Sequence, residues 1–109
     1  MATTVVHDGT TIPTVSPKDI DSTVWYGFNY TLQSGETIST SVWLIEGVLV
    51  VNGDEVNGLT LVDVDLTGVQ TQAQLQGGVI GDRYKVTNRI STNMTPSDDK
   101  SMSILVTQL

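Results

Sequence analysis

The sequence predicts an all-β fold built from two packed antiparallel sheets. Three observations carry this reading. Val, Thr, Ile and the aromatic residues fall in short alternating runs. Gly, Asn, Asp, Ser and Pro punctuate those runs at short intervals. No window shows a convincing 3.6-residue apolar period. About seven strands result, and packing two sheets face to face buries one face of each. A small closed barrel is the other arrangement that the pattern admits.

The 109 residues form one domain with enough chain for a core of its own. Two segments are expected: an N-terminal arm over residues 1–21 and a sandwich domain over residues 22–109. Pro13 and Pro17 remove backbone donors and are expected to interrupt any sheet ladder in the arm, although Met1 to Val6 has the composition of a short strand.

The first firm strand is Val24 to Leu32. Val24, Tyr26, Phe28, Tyr30 and Leu32 share one face, and Trp25, Gly27, Asn29 and Thr31 the other. Gln33-Ser34-Gly35-Glu36 is a turn, and Thr37 to Ile45 is the second strand. Glu46-Gly47 ends it. Val48 to Val51 follows as a short apolar strand closed by the tight-turn pair Asn52-Gly53. Asp54 to Gly58 reads as loop.

Thr60 to Leu66 alternates Val62, Val64 and Leu66 against Asp63 and Asp65. Val69 to Gln76 has the cleanest two-residue period, with Val69, Thr71, Ala73 and Leu75 opposite Gln70, Gln72, Gln74 and Gln76. Arg83 to Ser91 turns Tyr84, Val86 and Ile90 inward and Arg83, Lys85 and Arg89 outward. Ser101 to Gln108 closes the domain, with Met102, Ile104 and Val106 on its core face.

The glycine-rich stretch Gly77-Gly78-Val79-Ile80-Gly81 before an early Tyr84 has the form of a tyrosine corner, in which a phenol near the start of a late strand bonds back to upstream backbone. Gly81 and Tyr84 are therefore the expected structural corner, and the sandwich is expected to be immunoglobulin-like.

The residues offer no catalytic apparatus. His7 is the one histidine and Cys is absent, so neither a zinc site of ordinary type nor thiol chemistry is expected. No Gly-x-Ser-x-Gly elbow is present, and no glycine-rich loop leads into a Lys and a helix. Asp63 with Asp65, Asp54 with Glu55 and Asp98 with Asp99 lack calcium-loop spacing and read as solvated carboxylates. No catalytic, cofactor-binding or metal-binding residue is expected, and no cofactor.

The net charge is −7, from 12 acidic and 5 basic residues, which argues against a phosphate backbone or an anionic membrane as partner. No apolar run reaches the roughly 20 residues of a membrane helix. Met1 to Thr14 lacks the basic and apolar regions of a signal peptide. Two exposed stripes are candidate interfaces: Arg83, Lys85 and Arg89, which hold three of the five basic residues, and the amide row Gln70, Gln72 and Gln74. Trp25 and Trp43 are core candidates first, and interface anchors if exposed.

Three segments within Ser16 to Val106 resemble the phage fiber-tail adaptor (Gp77-like) family of small virion structural proteins. The first is Ser16 to Tyr30, an Asp/Pro-containing lead into an aromatic strand. The second is Leu32-Gln33-Ser34-Gly35-Glu36-Thr37-Ile38 with the following Ser39-Thr40-Ser41-Val42-Trp43. The third is the glycine corner with Tyr84-Lys85-Val86-Thr87-Asn88 and the serine-containing last strand. The chain departs from the family at Met94-Thr95-Pro96-Ser97, where a Gly-Arg precedes the acidic pair, and at Val48 to Gly58, which is expanded.

The resemblance implies a non-enzymatic bacteriophage structural protein, tail-associated in the virion and made in the host cytoplasm. It would link the tail or connector to a receptor-binding fiber. The implied partners are other virion proteins, namely tail or connector subunits and the fiber, in a homo-oligomeric or symmetric multicopy assembly. A capsid decoration protein of the same fold is an alternative. A carbohydrate-binding module, suggested by Trp25 and Trp43, is a further one.

Overall fold

The computed structural model describes residues 4–7, 15–19 and 21–108. Ten strands run through them in chain order: β1 (Thr4–His7), β2 (Val15–Asp19), β3 (Thr23–Asn29), β4 (Ile38–Ile45), β5 (Val48–Val50), β6 (Glu55–Val56), β7 (Leu59–Thr67), β8 (Gln70–Gly77), β9 (Arg83–Thr92) and β10 (Asp98–Thr107). They form two five-stranded sheets, ordered β1-β3-β8-β7-β6 and β2-β10-β9-β4-β5. The fold is an all-β sandwich. The run β3-β8-β7 beside β10-β9-β4-β5 reproduces the immunoglobulin order in which strands B, E and D face G, F, C and C′.

All seven expected strands are present, and three more accompany them. β6 lies inside Asp54 to Gly58, which reads as loop in sequence; two residues pair with the start of β7, too few to show an alternating pattern. β1 and β2 lie within the expected arm. β1 runs parallel to β3, and β2 runs parallel to β10. Pro17 therefore does not interrupt a ladder: it sits inside β2, opposite Leu105. β2 is an edge strand with a neighbour on one side only, the place in a sheet where a missing donor is tolerated. Pro13 and Met1 to Thr3 lie outside the described residues.

The core follows from the alternation. Tyr26 and Phe28 of β3 and Tyr30 just after it are buried, and Val24 and Leu32 pack against them. Ala73 and Leu75 of β8, Leu59 and Leu61 of β7, and Trp43 and Ile45 of β4 face them, together with Tyr84, Val86 and Ile90 of β9 and Met102, Ile104 and Val106 of β10. Phe28 stacks on Trp43 across the two sheets, with ring centroids 6.0 Å apart.

Four polar residues are buried among the described residues: Lys18, Thr71, Thr87 and Asn88. Asn88, which shares the inner face of β9 with Val86 and Ile90, is fully buried, as is Lys18 of β2. Lys18 Nζ donates to three backbone carbonyls: Asp19 and Gly77 at 2.9 Å and Ser22 at 2.7 Å. Burial pulls the lysine pKa down, against the carboxylates of Asp19 and Asp21, which hold it up. Because Gly77 belongs to β8, this one side chain ties the edge of one sheet to the other.

Candidate interaction surfaces

The corner positions everything that follows β8. Gly77 and Gly78 have φ of 79° and 106°. A Cβ on Gly78 would lie 2.5 Å from Val106 Cγ2, and one on Gly77 would lie 2.8 Å from the Gly58 carbonyl. Gly81, at φ 89°, donates its N–H to Val106 O at 2.8 Å. The chain is thereby delivered into β9 with Tyr84 buried as its second residue. The Tyr84 hydroxyl accepts from the Val79 N–H at 2.9 Å and donates to Asn57 O at 2.6 Å. Burial raises its pKa, and the Val79 N–H opposes that rise.

Arg83, Lys85 and Arg89 are exposed on the outer face of β9, and they are not equivalent. Register places Arg89 opposite Asp99 of β10. The guanidinium clasps that carboxylate through two bonds of 2.9 and 3.0 Å. The pair holds the Asp99 carboxyl below its ordinary value, chiefly through the Arg89 hydrogen bond. Arg83 and Lys85 form no ion pair among the described residues. The basic stripe is therefore two open cations and one whose charge is answered locally.

Gln70, Gln72 and Gln74 lie on the outer face of the other sheet. The two candidate stripes thus look outward from opposite sides of the sandwich and do not come together. Pairing sets Gln74, Gln72 and Gln70 beside Trp25, Gly27 and Asn29 on one side and beside Asp63, Asp65 and Thr67 on the other. Gln70 Nε2 donates to Asn29 Oδ1 at 3.3 Å, and Gln72 Nε2 donates to Gln70 Oε1. Gln72, Gln70 and Asn29 are thus linked through their amides, and Gln74 continues the row by register. Trp25 lies half-buried at its edge, whereas Trp43 belongs to the core.

The face is flat at Gly27 because a Cβ there would lie 2.5 Å from the Thr71 carbonyl. Among the described residues no three His, Cys, Asp or Glu side chains gather where a metal ion could be held.

An apolar groove beside β5 escapes the sequence reading. Val42, Trp43, Leu49, Val51, Leu61 and Val64 line about 410 Å³ of it. The available signal was the unbroken run Val48-Leu49-Val50-Val51 in a strand too short to bury all four.

A family model for the podophage GP4 fiber-tail adaptor protein gp77 matches residues 18–105, from the end of β2 into β10. The chain belongs to that family. It is a phage tail-associated structural protein, and the family implies association with the virion and contact with other tail proteins. No curated protein matches the chain. Among solved structures it is similar to the cysteine protease inhibitor EhICP2 from Entamoeba histolytica, at 10% identity and a TM-score of 0.55 over 96% of each chain. That likeness concerns the fold. In this family member the residues matched include the corner, both candidate stripes and the groove.

Proposed function

We propose that this family member joins the podophage tail or its connector to a receptor-binding fiber and does so by surface contact without catalysis. The family match over residues 18–105 is the observation that carries the reading. The geometry supports it: the two stripes look out from opposite sides of a rigid sandwich, so one partner can be held on each. Arg83 and Lys85 supply charge on one side, and the Gln70, Gln72 and Gln74 row with Trp25 supplies donors, acceptors and an aromatic edge on the other.

Copies arranged around the tail would add avidity to contacts that are individually modest. The chain is made in the host cytoplasm and incorporated during assembly. The test is cryo-EM of particles carrying a labelled chain. Density between tail and fiber is expected, and density on capsid faces with none at the tail would overturn the proposal. Co-expression with tail and fiber proteins, followed by size-exclusion chromatography, identifies the partner on each side.

A further inference from the structure

The second strand of the β4–β5 hairpin is the outermost strand of its sheet. Only Val50 of its apolar run is buried; Val48, Leu49 and Val51 are 51%, 59% and 64% exposed. The backbone alternation is fixed by the neighbouring ladder. The Glu46 N–H donates to Lys85 O of β9, so Leu44 and Val42 also face β9, and Ile45 and Trp43 face β5, where they pair with Val48 and Val50. The N–H and C=O of Leu49 therefore point away from the sheet, at its open edge.

The groove next to that edge has a structural cause. A bulge between Leu61 and Asp63 resets the alternation of β7, so that Val64 and Leu66 pair with Ala73 and Thr71, both core residues. Val64 and Leu66 nonetheless stay 41% and 42% exposed, so the opposing sheet stops short of them. An unpaired backbone edge and an apolar trough thus lie side by side.

Charge selects the occupant. Residues 42–66 hold Glu46, Asp54, Glu55, Asp63 and Asp65 and no Lys or Arg. Three of these carboxylates flank β5 at its two ends. Glu46 is in the turn that opens it, Asp54 accepts from the Val51 N–H just after it, and Asp63 accepts from Asn52. A second copy paired β5 to β5 would bring these carboxylates together between two chains of net charge −7.

We propose that the β5 edge and its groove receive an extended segment of a partner protein that adds as a strand alongside Leu49, places alternate aliphatic side chains in the groove, and carries Lys or Arg at its ends. That the partner belongs to the virion rests on the adaptor reading. The edge and the chemistry of the segment do not.

The test uses the full chain, ¹⁵N-labelled, and two synthetic peptides: Lys-Lys-Val-Thr-Val-Thr-Val-Lys-Lys and the same core flanked by Glu. The basic peptide is expected to give saturable shifts centred on the Leu49 and Val51 amides, and the acidic one to bind at least about tenfold more weakly. Leu49→Pro removes the outward donor and leaves the pairs with β4 in place. Val64→Gln makes the groove polar at an exposed position. Each is expected to weaken the basic peptide about tenfold with the melting temperature held within a few degrees. Should Leu49→Pro unfold, Val64→Gln decides.

Equal binding of both peptides, shifts centred elsewhere, no saturation, or binding unmoved by Val64→Gln overturns the proposal. So does a concentration-dependent dimer in sedimentation that Val64→Gln abolishes, because the occupant is then a second copy. None of these results bears on the location of the chain in the particle. Conversely, capsid-only density with intact peptide binding removes the adaptor reading alone.

Discussion

The Tyr30 hydroxyl donates to Asn88 Oδ1 at 2.8 Å, across the interior from one sheet to the other. The same oxygen accepts from Thr71 Oγ1 at 2.8 Å, and the Asn88 Nδ2 donates to Ser41 Oγ at 2.9 Å and Val42 O at 3.0 Å. One side-chain amide thus joins β8 and the residue that follows β3 to β9 and β4, with all its hydrogen-bonding capacity used.

Replacing that amide should be costly. Asn88→Ala takes the amide from the buried Tyr30 and Thr71 hydroxyls and from half-buried Ser41, and an expected loss of about 2–4 kcal/mol follows from unsatisfied buried groups at roughly 1–3 kcal/mol each. Tyr30→Phe removes one donor and is expected to cost about 1 kcal/mol. Urea denaturation at neutral pH measures both. Similar small losses for the two variants would show that the amide does not organise the interior.

The corner makes a smaller and more local prediction. Tyr84→Phe keeps the buried ring and leaves the Val79 N–H and Asn57 O without their partner. The expected loss is about 0.5–1.5 kcal/mol. Unchanged stability would mean that the ring, and not the hydroxyl, holds the corner.

Lys18 predicts how residues 15–19 are held. Lys18→Met keeps most of the side-chain volume and takes the ammonium donor from the Ser22 and Gly77 carbonyls, while Asp19 O keeps the Ser22 N–H and hydroxyl. The expected cost is about 1–3 kcal/mol, with hydrogen-exchange protection lost first at Val15 to Asp19 and at the facing amides of β10. Uniform loss of protection across both sheets would argue that β2 is no separate unit. The native pKa of Lys18 is lowered, so this group alone makes the protein less stable below that pKa, and stability rises as pH climbs from it toward the unfolded value.

The alkaline limb of stability is set in the opposite sense by the buried phenols. Burial pushes Tyr26 up to about 12 and raises Tyr30 as well, with Asp98 and Asp99 adding to the latter. The native pKa lies above the unfolded value of about 10, so the folded state keeps protons that the unfolded chain gives up. This contribution is complete below about pH 10 and is lost as pH rises toward 12. Absorbance at 295 nm and the urea midpoint, followed together from pH 9 to 12, are expected to change in step. Tyr26 ionising below pH 10 with no loss of stability would contradict the burial argument.

The sheets were legible in the sequence because their strands obey a period of two: Tyr26 and Phe28 on β3 with Tyr30 just after it, and Thr71, Ala73 and Leu75 on β8, fall where alternation puts them. What escaped it broke that rule or lay across chain distance. Lys18 reads only as part of the arm until the Gly77 carbonyl, 59 residues away, is brought to it. Asn88 shares the inward register of Val86 and Ile90, but polarity masks a residue whose partners come from β8, β4 and the residue that follows β3. The bulge after Leu61 turns Val64 and Leu66 toward the core side, and no single-strand pattern shows that the opposing sheet ends before them. The Arg89 pairing with Asp99 likewise needs the register of β9 on β10.

At the acid end, the loops at one end of the sandwich meet through Glu36. Its carboxylate accepts from Thr92 Oγ1, from the Gln33 N–H at 3.0 Å and from Thr95 Oγ1 at 3.0 Å. The Thr92 hydroxyl is the largest of these influences, and together they hold the carboxyl below its ordinary value. Asp99 is lowered in the same direction by Arg89. For both, the native pKa lies below the unfolded one, so the stabilisation is present above the unfolded value, near 4, and is lost as pH falls through the native value. Glu36→Gln keeps one of the two acceptor oxygens and removes the titration, so the fall in urea midpoint between pH 5 and pH 2 should be shallower than in the parent, and shallower again with Asp99→Asn added. An acid limb of unchanged slope in the double variant would assign acid unfolding to other carboxylates.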